Sequence, residues 1–328
     1  MIHESDFRPA TWLPGPHLQT LWASILRPCP RPNFRRQRLH LPDDDFLDLD
    51  WLAEPGSGPT VMVVHGLEGS SDSSYARGLM DQVCRCGWGG VVMHFRSCSG
   101  EPNRQARSYC AGEIEDLEFS AEHVRQICGG PLFVVGYSLG GNALLSWLAT
   151  PASTACIDAA VAVSVPFLLR EAATRLKRGF SQAYQWKLLR DLKRSYQRKF
   201  QNRNDAPIPI ENLSEIRDFF GYDDVITAPL HGYQGAEDYY RRASSRYSLA
   251  QIKLPTLILH ARDDPFMTEA VIPDPEELAP NVRFELSRFG GHVGFVSGPP
   301  WRPRYWLEER ISRFIEEQLG RHETDAQS

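Results

Sequence analysis

The chain has 328 residues, 42% of them apolar and 23% charged, with a formal net charge of -5. That length allows one large or two ordinary domains, and the composition is that of a globular protein, which excludes general disorder. The acidic balance excludes a chain-wide nucleic-acid role, because that needs a basic footprint.

The first nine residues, Met1 to Pro9, include Glu4 and Asp6 and no apolar run, so they do not read as a signal peptide. Seven cysteines, an odd number without framework spacing, fit reduced thiols and a cytoplasmic location. Cys84-x-Cys86 lacks the second pair of ligands that a zinc site needs. Residues 1–33 are rich in proline and tryptophan and carry a short amphipathic stretch over 17–26. It reads as an arm folded over the body, although Leu18, Leu21, Trp22 and Ile25 would also suit a membrane surface. Alternating segments at 36–41 and 46–52, around Pro42-Asp43-Asp44-Asp45, predict an antiparallel hairpin.

The pattern then changes. Continuous apolar runs at 60–64, 90–95, 132–135, 159–163 and 256–260 predict buried strands, with helices between them. Ile114, Leu117, Ala121 and Val124 mark one helix face; Leu307, Ile311, Phe314 and Ile315 mark another. Strands alternating with helices imply an α/β fold with a mostly parallel central sheet flanked by helices. From Ile127 to Ile157 there is no charged residue, but five glycines and Pro131 break the run, so it reads as strand plus helix in a core.

Within that run stands Gly136-Tyr137-Ser138-Leu139-Gly140, between the strand Pro131 to Val135 and a helical stretch over 141–149. This is the Gly-x-Ser-x-Gly pattern in the strand-turn-helix setting of a nucleophile elbow. The turn is tight enough that side chains two residues either side of the serine would collide. A serine nucleophile needs a base to take its proton and a carboxylate to orient that base, and in this architecture the order is Ser, Asp or Glu, His. The chain supplies that order: Asp263-Asp264 follows the strand ending at His260, and His292 lies on the glycine-rich loop Gly290-Gly291-His292-Val293-Gly294. Either aspartate could serve on this ground. The chemistry calls for no metal or organic cofactor.

About ninety residues separate Val165 from Pro255, far more than a crossover between strands needs. Phe180, Tyr184, Leu188, Leu192, Tyr196 and Phe200 recur every fourth residue there, predicting a long helix. Residues 175–203 hold ten Lys and Arg against Asp191 alone, leaving the remainder of the chain at -14. The segment reads as a helical cap whose basic face either attracts anionic substrates or lipid surfaces, with transient membrane contact, or is a solvated face paired with the acidic body. The expected organisation is an arm and hairpin over 1–55, a core over 56–166 and 250–322, a cap over 167–249 and a flexible tail over 323–328.

The set His65-Gly66-Leu67-Glu68-Gly69, Phe95-Arg96-Ser97-Cys98-Ser99-Gly100-Glu101-Pro102, the elbow, Asp263-Asp264-Pro265-Phe266 and Gly291-His292-Val293-Gly294-Phe295 resembles the YheT-type branch of the α/β-hydrolase fold. That branch includes the yeast medium-chain ester synthases and esterases, and the likeness runs from Leu18-Gln19-Thr20-Leu21 to about residue 315. The resemblance implies a hydrolase of small-molecule acyl esters of short to medium chain, with Ser138 as nucleophile, Asp264 as orienting acid and His292 as base. It also implies an oxyanion hole made by the backbone N–H groups of Leu67 and Leu139. Tyr109-Cys110-Ala111-Gly112 departs from the family's usual Tyr-His-Ser-Gly. Two other readings stand beside it: an acyltransferase, using the same residues to pass the acyl group to an alcohol, and a non-catalytic protein that binds lipids or partners through the basic cap, against which the intact Ser, Asp and His set speaks.

Overall fold

A computed structural model describes residues 1–29, 31–52 and 56–325, with side chains described to residue 321. Nine strands form one sheet: β1 (Ile2–Glu4), β2 (Arg35–His40), β3 (Phe46–Trp51), β4 (Thr60–Val64), β5 (Gly89–His94), β6 (Leu132–Tyr137), β7 (Ala159–Val163), β8 (Thr256–Ala261) and β9 (Val282–Ser287). Their order is β1-β9-β8-β7-β6-β4-β5-β3-β2. Pairing is parallel from β1 to β5 along that order and antiparallel where β3 meets β5 and β2.

The sheet is buried on both faces because its central strands are apolar at every position rather than at alternate ones. Val61 and Val63 point to one side and pack with Phe133, Val135, Val161 and Leu257. The helices Ser74–Arg85 and Trp306–Asp325 cover that side with Leu79, Met80, Ile311 and Ile315. Met62 and Val64 point to the other side, where Glu115–Ile127 and Leu139–Leu148 contribute Leu117, Val124 and Leu144. Burying each such side chain is worth about 1.5–3 kcal/mol, so the parallel core alone fixes the register of the strands that carry the site.

The expected hairpin is present as β2 and β3. Alternation in β3 does not leave one face wet, however: Asp48 and Asp50 are buried, each held by a two-point ion pair, from Arg38 and Arg36 respectively. The strand β1 was not expected from the sequence. The predicted tail is helical as far as Asp325, and its last part, 326–328, lies outside the described residues.

Between β7 and β8 the chain forms a helical layer over the carboxyl ends of the strands, chiefly Leu169–Leu176, Ser181–Phe200 and Ala236–Ala243. Tyr184, Leu192, Tyr196 and Phe200 of the long helix join Leu176, Phe219, Tyr239 and Tyr240 in a separate apolar cluster. Phe180, expected on the same buried face, stands just before the helix and is exposed. Among the described residues no helix is long and apolar enough to cross a membrane.

Candidate active site

Each segment that the sequence marked as chemical ends up at the carboxyl edge of the parallel sheet, where open α/β sheets place their ligands. Ser138 follows β6, Asp263 and Asp264 follow β8, His292 follows β9, and His65-Gly66-Leu67 follows β4.

Ser138 sits at φ 51° and ψ -117° before the helix Leu139–Leu148. A non-glycine residue held there costs about 1–3 kcal/mol and needs the surroundings to impose it. The Ser138 amide donates to Val163 O at 2.8 Å, and the Asn142 amide donates to Ser138 O at 3.0 Å, which pins the turn from both ends. Gly140 is required by the neighbouring strand: a Cβ there would meet the carbonyl oxygens of Val64 and His65. The collision is thus with the end of β4 as well as across the turn. The same close approach brings the loop after β4 beside the serine, since Gly66 lies where a Cβ would be 3.3 Å from the Ser138 Cβ.

His292 Nε2 is 3.0 Å from Ser138 Oγ, and His292 Nδ1 is 2.8 Å from Asp264 Oδ2. Asp264 is buried, and its other oxygen accepts the Phe266 amide at 2.8 Å. The Phe266 ring stacks on the imidazole at 3.9 Å between centroids, nearly parallel. Asp263 does not reach the imidazole. Its Oδ1 accepts the Gly291 amide at 2.9 Å, and burial first, with the Asp264 charge second, pushes its carboxyl up to about 6. The two adjacent aspartates therefore hold different parts of the histidine loop, one the ring and one the backbone.

Leu67 and Leu139 face the same space. Leu139 opens its helix, where first-turn amides have no acceptor within the helix and the dipole favours negative charge. The Leu67 loop is set by buried His65, whose Nε2 accepts the Phe95 amide at 3.1 Å, so that Nδ1 carries the proton donated to Gly66 O at 2.7 Å. Burial, helped by nearby His94, lowers His65 to about 3 and keeps it neutral. Tyr75 OH accepts the Gly66 amide at 2.9 Å and Tyr109 OH accepts the Glu68 amide at 2.7 Å. Those bonds leave the Leu67 amide between two anchored neighbours.

Several of these supports escaped the sequence reading. Gln19 and Thr20 are buried, whereas Leu18 and Ile25 of the supposed apolar stripe are exposed. Gln19 bonds both backbone groups of Val296, and Thr20 Oγ1 accepts the His292 amide. Gly291 explains the contact distance, since a Cβ on it would lie 2.5 Å from Pro16 O. Ser164, at φ 51°, accepts the Val293 amide at 3.1 Å. The only sequence signal for Gln19 and Thr20 themselves was their place in the motif set of the resemblance. Tyr109, in the segment that departs from the usual family pattern, donates to Glu68 Oε1 at 2.9 Å.

A cavity of about 420 Å³ opens over Ser138 and His292. Its walls are largely apolar and come from the cap, with Leu169, Leu176, Leu192, Phe219, Tyr222 and Ile226 among them. The cap is tied to the reacting end: Ser181 Oγ donates to Pro265 O at 2.6 Å, Ser195 Oγ to Glu68 Oε2 at 2.5 Å, and Asn142 Nδ2 to Ala243 O at 2.7 Å.

A family model described as the α/β hydrolase fold matches residues 59–299. YheT of Escherichia coli (strain K12), whose esterase name is itself provisional, is 44% identical over 316 residues, spanning 95% of this chain and 93% of that one. The monoacylglycerol lipase of Saccharomyces cerevisiae is 27% identical over 289 residues, covering 86% of this chain and 63% of that protein. Among solved structures, an esterase of Pyrococcus furiosus superposes with a TM-score of 0.56 at 18% identity over 88% of this chain and 90% of that one, a likeness of fold.

Proposed function

The chain belongs to the α/β-hydrolase family and is an ester hydrolase of the esterase/lipase type; from there we propose that it cleaves short- to medium-chain acyl esters through an acyl-enzyme on Ser138. The observation that carries this reading is the line of hydrogen bonds from Asp264 through His292 to Ser138.

In the first step His292 Nε2 takes the Ser138 hydroxyl proton as Oγ bonds to the ester carbonyl carbon. The carbonyl oxygen becomes an oxyanion facing the Leu67 and Leu139 N–H groups. Each such donor is typically worth about 10²–10³ in rate. Asp264 keeps Nδ1 protonated and the ring oriented, and it stabilises the imidazolium that forms. Collapse of the intermediate breaks the bond to the alcohol, which leaves with the proton from His292. Water then attacks the acyl-enzyme by the same route, returning the acid and the free serine.

The cavity supports the choice of acyl group. At about 420 Å³ it falls within the usual range for small-molecule sites, about 300–1,000 Å³, and its apolar walls suit an alkyl chain. The test is a series of p-nitrophenyl esters of rising chain length on wild type and Ser138→Ala. Serine-dependent turnover that peaks at short to medium chains is expected; equal rates for both proteins on every ester would overturn the proposal.

A further inference from the structure

Eleven large apolar or aromatic side chains stand exposed among the described residues, and five of them belong to two segments that meet: Leu18, Ile25 and Leu26 on the arm, Phe180 and Trp186 on the cap. Ile25 and Lys187 both line the cavity and are exposed, so the opening lies between the arm segment Trp22–Leu26 and the first turns of Ser181–Phe200. His17 joins the two sides, with its ring 4.7 Å from that of Phe180 and its Nδ1 3.2 Å from Tyr184 OH.

The exposed part of the cap helix around Lys187 is cationic. Lys187, Arg190 and Arg194 all turn to the single carboxylate of Asp191, at 2.9, 3.3 and 3.9 Å, which leaves two positive charges without compensation. Arg190 also lies over the Trp186 ring at 4.8 Å. An exposed tryptophan beside basic side chains is the composition of a surface that enters the headgroup layer of a bilayer, where aromatic rings settle and cations meet anionic phosphates. A protein partner is less well matched, because Ile25 and Lys187 of this surface border an opening that leads to the nucleophile.

We propose that this surface docks on anionic phospholipid bilayers, so that the opening beside it faces the membrane and an acyl ester passes from the lipid layer to Ser138 without crossing water. The docking stands on the surface alone; the delivery step rests on the esterase reading given above.

The full chain carrying Ser138→Ala is sedimented with vesicles of phosphatidylcholine alone and of phosphatidylcholine mixed with phosphatidylglycerol. Binding to the mixed vesicles only, weakened by salt, is expected. Arg190→Glu with Arg194→Glu, and separately Trp186→Ser with Leu26→Ser, should weaken it on the order of tenfold or more. The same surface changes in the active protein should leave turnover of a water-soluble short ester at the wild-type rate. The proposal is overturned by no binding to mixed vesicles, by equal binding to both vesicle types, or by surface variants that bind as well as the parent. It is also overturned if gel filtration shows a dimer that the Trp186→Ser change dissolves, since a second copy would then cover this surface. Loss of soluble-ester turnover in wild type would instead strike the esterase reading and leave the docking result to stand.

Discussion

Thr20 Oγ1 accepts the backbone N–H of His292 at 2.9 Å, across 272 residues of sequence. Its own proton goes to Pro16 O at 2.8 Å, so the hydroxyl can only act as acceptor towards the histidine loop. Thr20→Val keeps the shape and removes the acceptor. A loosened imidazole should lower kcat by roughly tenfold to a hundredfold with little change in KM, because valine keeps the shape of the cavity wall to which Thr20 belongs. Thr20→Ser should restore the rate. Steady-state kinetics of the three proteins on one ester decide the matter; a fall in KM affinity alone would show that Thr20 shapes the cavity instead.

The adjacent aspartates should separate cleanly. Asp264→Asn is expected to lower kcat by about 10⁴, as loss of an orienting carboxylate does in other triads. Asp263→Asn retains an oxygen for the Gly291 amide and should keep most of the activity.

The same Asp263 variant carries a stability signature. The wild-type carboxyl rises from 3.8 to about 6 on folding, so the folded state binds the extra proton between those values, and stability falls as pH rises through that window. Asp263→Asn removes this contribution. Urea unfolding at pH 4 to 7 should therefore show the variant gaining on wild type as pH rises, with the gain complete above about pH 6. A difference that does not change with pH would contradict it.

What the sequence made legible follows from how local each signal is. The runs at 60–64 and 132–135 read as buried strands because every residue is apolar, and Ser138 reads as a nucleophile because glycines, strand and helix all lie within twenty residues of it. Three short motifs then gave the order Ser, Asp, His, and their loops meet because each ends a parallel strand. The arm over the body was legible from its composition, but not which of its residues hold it there. Its buried residues are Gln19 and Thr20, whose partners Val296 and His292 lie more than 270 positions away and cannot be inferred from a window of neighbours. The strand β1 is three residues with no apolar alternation, and only its pairing to β9 makes it a strand.

Gly140→Ala tests the junction of elbow and sheet. The added methyl would press on the Val64 and His65 carbonyls, both main chain at the carboxyl end of the central strand β4, so neither can swing away. Overpacking of this kind costs about 1–3 kcal/mol, and the shift would also move Ser138 off the His292 line. Thermal melts should show lowered Tm together with a loss of turnover; an unchanged melt would mean that the strand yields.

Ala173 is buried and lines the cavity. Ala173→Phe should fill part of the acyl channel and lower kcat/KM for an octanoate ester relative to an acetate ester by about tenfold or more. Equal losses on both esters would place Ala173 away from the acyl chain.

The pairing of β1 with β9 matches Ile2 to Phe284 and His3 to Glu285, uniting segments about 280 residues apart in the sequence. At a ribosomal pace of about 5–20 residues per second, the amino-terminal segment waits roughly a quarter of a minute to a minute before its partner strand emerges. The arm that braces His292 is in the same position. The proposed base His292 therefore exists only once β9 has been made, and a chain stalled before residue 282 lacks both that histidine and the strand with which β1 pairs.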